Sequence, residues 1–144
     1  MLKWKQLNQT LETVASRHLQ LISRFDTFAN FVESQVTSQT FHIKGITSTL
    51  HLEQGFFTTT FAGRTLHFVF SSTTEDGKTL FGNVACYLKR ELPEQAHIEI
   101  GKFTFNGGGQ TNFIEPEEND PLTIASDISS LYIALHFINE SLSQ

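Results

Sequence analysis

A chain of 144 residues is long enough for one domain with its own hydrophobic core, expected here to span residues 1–144. Hydrophobic residues at 39% against charged residues at 17% exclude a disordered chain, and fourteen Phe beside one Trp and two Tyr predict a core of rings without polar handles. The net charge of −5 argues against nucleic acid and anionic membrane as partners, and it suits a basic protein partner without demanding one.

A single cysteine, Cys86, excludes an intramolecular disulfide framework and fits a reducing compartment. The start, MLKWKQLNQT, has neither the apolar run nor the cleavage site of a signal peptide. No apolar run approaches the ~20 residues of a membrane span. A cytoplasmic protein is expected.

The chain is organised around Trp4 to Val36. Trp4, Leu7, Leu11, Val14, Leu21, Phe25, Phe28 and Val32 recur at spacings of three and four, interrupted only by His18. Ala15, Ile22, Ala29 and Val36 widen this row, and the opposite side is polar. That is the period of an amphipathic helix, roughly 45 Å long at ~1.5 Å per residue. Its start is open, with Asn8 or Thr10 able to cap a shorter version. If the sheet beneath it is too short to cover the whole row, the surplus would have to meet a second copy. A homodimer through the N-terminal helix is therefore expected.

From Phe41 the period falls to two. Phe41 and Ile43 alternate with polar residues, and Gly45 marks a bulge or bend. Tight turns at Gln54-Gly55 and Ala62-Gly63 would pair Leu52 with Phe57, Phe57 with Phe68, and Thr59 with Leu66. A three-residue turn Glu75-Asp76-Gly77, with Gly77 left-handed, would set Phe68 opposite Val84 and Phe70 opposite Gly82. A fifth strand runs through Ile98 and Ile100 to Phe103 and Phe105, with a bulge at Gly101. Asn106 to Gln110 turns the chain into a short strand ending at Phe113-Ile114.

Asp120-Pro121 reads as a cap followed by Pro at the first helical position, so a second helix is expected over Leu122 to Leu142. The fold class is α+β: a long N-terminal helix, an antiparallel meander of about six strands, and a C-terminal helix. The far side of the sheet carries Thr47, Thr49, His51, Thr58, Thr60, Thr65 and His67, polar enough for water, so both helices are expected on one face.

No arrangement of residues compels a chemistry. His51 and His67 would flank Thr58, but two histidines fall short of the three or four ligands of a metal site. His97-Ile98-Glu99 matches half of a zinc-deaminase signature whose Pro-Cys-x-x-Cys half is absent. Asn106 to Gln110 has three glycines but no following Lys-Ser/Thr, so it reads as a hairpin turn and mobile rim rather than a phosphate cradle. Cys86 falls on the buried face, as a packed thiol. His18 reads as a core histidine with a hydrogen-bond partner. No catalytic residue, metal ligand or cofactor is expected.

Glu115, Glu117, Glu118 and Asp120, stiffened by Pro116 and Pro121, place four carboxylates within six residues. Such a loop is often merely solvated; as a site, it would meet a basic protein. The functional expectation is a non-catalytic protein-binding module, such as a toxin-neutralising immunity protein or a small acidic chaperone. The alternative is a binder of small apolar ligands, or an enzyme, with a pocket between the Phe-rich sheet and the helices.

Overall fold

The row beginning at Trp4 forms one helix, α1 (Trp4–Thr37), in the computed structural model, which describes residues 1–75, 77 and 79–144. Neither Asn8 nor Thr10 starts it. Lys3 is the N-cap, and its backbone N–H donates to Gln6 Oε1 at 3.2 Å. Residues 38–46 are irregular, with Phe41 and Ile43 packed on the core and Gly45 bending the chain at φ 89°.

The strands β1 (Thr47–His51), β2 (Phe56–Phe61), β3 (Arg64–Thr73), β4 (Phe81–Arg90), β5 (Ala96–Phe105), β6 (Gln110–Ile114) and β7 (Pro121–Thr123) make a seven-stranded antiparallel sheet in sequence order. The helix α2 (Asp127–Ser141) closes the chain. Phe57 opposes Phe68 and Thr59 opposes Leu66, as the alternation requires. Phe57, Phe68 and Val84 are fully buried on the covered face.

Two registers differ from expectation, each by two residues. Leu50, not Leu52, opposes Phe57, because Leu52–Gln54 forms a 3-10 turn closed by Gly55, whose N–H donates to Leu52 O at 3.1 Å. Phe68 opposes Cys86 and Phe70 opposes Val84, because β3 continues to Thr73 before turning. Gly77 is left-handed as expected (φ 74°), whereas Asp76 lies outside the described residues. A shift of two keeps every side chain on its face, so alternation alone cannot choose between such registers. On β5 the pairing jumps from Gly101 to Glu99, leaving Ile100 as the bulged residue beside the expected glycine.

The second helix starts later than Asp120-Pro121 suggests. Pro121 enters β7 opposite Ile114, and Leu122 and Ile124 are buried two residues apart, a strand pattern. Ile124 N–H and Thr123 Oγ1 both donate to Gly109 O, at 2.9 and 3.1 Å. The helix cap is Ser126, whose Oγ accepts from Ser129 N–H at 3.3 Å. Consequently Ile128 falls in the first turn of α2 and is 75% exposed.

Both helices lie on one face of the sheet. Phe28 of α1 stands edge-on to Phe57, Phe68 and Phe103, and Phe137 of α2 meets Phe68 and Phe103 from beside it. Glycines let the rings settle onto the strands: a Cβ on Gly82 would come within 2.2 Å of the Phe105 ring, and one on Gly101 within 2.6 Å of Phe137.

Candidate functional site

The apolar row of α1 is continuous, but its burial is not. Leu21, Phe25, Phe28 and Val32 are fully or almost fully buried against the sheet, whereas every residue from Met1 to Arg17 is exposed. Trp4 is 77% exposed, Leu11 57%, Val14 39% and Leu7 38%. The first turns of α1 are therefore an arm that outruns the end of the sheet.

The exit point is braced by polar contacts from one strand and one turn. His18 Nδ1 and Ser72 Oγ are 2.5 Å apart, and the imidazole lies 5.9 Å from the Phe70 ring, so His18 has a hydrogen-bond partner but is half-buried at the rim rather than in the core. Gln20 Nε2 and Arg24 Nε donate to Gly107 O at 3.1 and 2.9 Å. Asn106 Oδ1 accepts from the N–H groups of Gly108 and Gln110, both at 3.0 Å. The Asn106 to Gln110 turn, expected as a mobile rim, is thus tied to itself and to the helix. A groove of ≈ 690 Å³ beside Thr10, Val14 and Gly77 separates the arm from the β3–β4 turn.

Charge is divided along the same line. Lys3, Lys5 and Arg17 against Glu12 give residues 1–17 a net +2, so the remaining residues carry −7 of the total of −5. The arm is basic as well as apolar, and the body is acidic.

The carboxylate cluster lies at the opposite end of the sheet, on the turn between β6 and β7. Its four members are not equivalent. Glu115 is half-buried and its carboxylate accepts from Glu118 N–H, while Asn119 N–H donates to Glu115 O and Glu115 N–H to Asp120 O. Glu115 therefore shapes the turn, and Glu117, Glu118 and Asp120 present their side chains to solvent.

On the open face of the sheet, His51 does not flank Thr58. The changed β1–β2 register places it beside Phe56, with the rings 4.7 Å apart and stacked. Phe56 lies 5.5 Å from His67, and His67 lies 5.0 Å from His97. Sequence reasoning did not join His97 to this row, although strand parity and meander order would have done so. Burial, and then the neighbouring charges of His97, Lys89 and His51, hold the His67 pKa below its ordinary value. Among the described residues no group of three His, Cys, Asp or Glu converges as metal ligands.

The interior offers no activated nucleophile at Cys86, which is fully buried and whose thiol pKa burial pushes far up. A notch of ≈ 290 Å³ opens between α1 and the 3-10 turn, lined among others by His18, Phe25, Asp26, Leu52 and Phe70. Asp26 Oδ1 is buried there without a hydrogen-bond partner, and burial raises its pKa.

Comparison with protein-family models, curated proteins and solved structures yields no match. No helix among the described residues is long and apolar enough to cross a membrane.

Proposed function

We propose that this protein is a non-catalytic binding module that works in the cytoplasm by holding another protein, in the manner of a toxin-neutralising immunity protein or a small acidic chaperone. The observation that carries this reading is the arm of α1. Trp4, Leu7, Leu11 and Val14 form an ordered apolar row in water, and such rows mark surfaces that meet protein. The body behind it is a filled core: Phe25, Phe28, Phe57, Phe68, Phe103 and Phe105 are all buried to within 2%. At the other end, Glu117, Glu118 and Asp120 offer a second, polar contact for a basic partner.

The test is capture from the native cytoplasm by cross-linking, with the wild type compared to Leu11→Asp. A defined protein, the chain itself included, recovered stoichiometrically with the wild type and lost with the variant supports the reading. Equal recovery with both, or recovery of nothing, contradicts it.

The notch beside Asp26 favours a second reading, a small-ligand site. Its ≈ 290 Å³ sits at the lower bound for ligand pockets. A ligand that stabilises the wild type and fails to stabilise Asp26→Asn would establish that reading instead.

A further inference from the structure

We infer that the occupant of the arm is a second copy of this chain, its own arm laid antiparallel along the first. The inference rests on the reading of the arm as a protein-docking surface and names what covers it.

The first ground is area. Aromatic side chains bury about 150–250 Å² each, and Leu and Val somewhat less. At the observed exposures, Leu2, Trp4, Leu7, Leu11 and Val14 leave roughly 500 Å² of apolar surface per copy. Two copies bring about 1,000 Å² before any flanking polar atoms are counted, the lower limit for a specific interface.

Geometry sets the direction. The arm continues the row that packs on its own sheet, so the sheet lies on the side toward which the arm's row faces. A parallel pair joined through these rows would drive the two sheets into the same space. An antiparallel pair places the two bodies at opposite ends of the joined arms.

The sequence then matches that direction. Trp4, Leu7, Leu11 and Val14 occupy alternating core positions of a heptad, and antiparallel helices stack one kind against the other. Aligned so, Leu7 meets Leu11 of the second copy, and Trp4, the largest, meets Val14, the smallest. Four layers form with no polar residue among them. The flanking positions bring Lys3 toward Arg17 of the second copy, two like-charge contacts by symmetry. Pairing by apolar contact against this repulsion should tighten as salt rises, the opposite of binding between the acidic turn and a basic protein.

Sedimentation equilibrium across the micromolar range, with cysteine cross-linking, tests the inference. The wild type should approach twice the 16.3 kDa chain mass. Leu11→Asp, at an exposed position, should keep the cooperative melting of the folded body and sediment as a monomer. Lys3→Glu should tighten the dimer several-fold by turning the repulsive contacts attractive. Oxidising a mixture of Leu7→Cys and Leu11→Cys should give a cross-linked pair that neither variant gives alone, since Cys86 is buried. A monomeric wild type overturns the inference, and so does a dimer unaffected by Leu11→Asp. Cross-links within Leu11→Cys alone would show a parallel pair, and masses that grow without limit would show head-to-tail assembly; both overturn it as well. A monomeric wild type that still captures another protein through Leu11 would remove the second copy and leave the docking surface standing.

Discussion

Phe57 and Phe68 face each other across β2 and β3 with their rings 4.7 Å apart and 5° from parallel. Phe28 of α1 stands edge-on to both, at 5.4 and 6.4 Å. This triplet locks α1 to the centre of the sheet and so fixes where the arm emerges. Phe68→Ala should cost ~3–5 kcal/mol, the usual range for a buried ring. Urea denaturation checks it; a loss under 1 kcal/mol would show that the core closes around the gap.

The turn between β2 and β3 holds Ala62 at φ 52° and Gly63 at φ 77°, the two positive angles of the tightest hairpin loop. Alanine tolerates that region poorly, whereas asparagine is enriched there. Ala62→Asn should therefore stabilise the protein by up to ~1 kcal/mol, read as a raised melting temperature.

How far the fold is legible in the sequence follows from what each signal can decide. The arm, the Ala62-Gly63 hairpin and the buried faces of β2, β3 and β4 are written in periodicity, which burial enforces. Registers that differ by two residues bury the same set, so Phe68 could be matched to Val84 or Cys86 without conflict. Asp120-Pro121 is a strong helix start that lost to a local competitor: Leu122 and Ile124 gain more as a strand on Gly109, and Ser126 supplies a later cap. The length of α1 was legible, but not where the sheet would stop beneath it. His18 and Ser72, 54 residues apart in the chain, mark that point.

His67, packed between Phe56 and His97, gives stability a pH dependence. The folded His67 pKa lies below the ordinary 6.5, so the fold favours the neutral ring. As pH falls through 6.5 the unfolded chain takes up a proton before the folded chain does, and stability declines until folded His67 itself protonates. His67→Phe should flatten this decline in melts taken from pH 7.5 to 5. An unchanged slope would place its origin elsewhere.

The acidic turn is expected to act on association rates. Glu117→Gln with Glu118→Gln should slow encounter with a basic partner several-fold and blunt its loss as salt rises from about 50 to 200 mM. Glu115→Ala should instead loosen the turn, because it removes the carboxylate that accepts from Glu118 N–H. Stopped-flow association separates the two; equal on-rates for wild type and double variant would take this turn out of the contact.

The claim that a second copy covers the arm is tested most directly by hydrogen exchange at the amides of residues 7–17. An exposed helix end of about three turns is marginal in water and exchanges almost freely. In the concentrated wild type these amides should be protected at least ~100-fold beyond those of Leu11→Asp, and dilution should erase the difference. Equal and rapid exchange in both proteins at every concentration would mean that no second copy covers the arm, and the pairing of arms would fail.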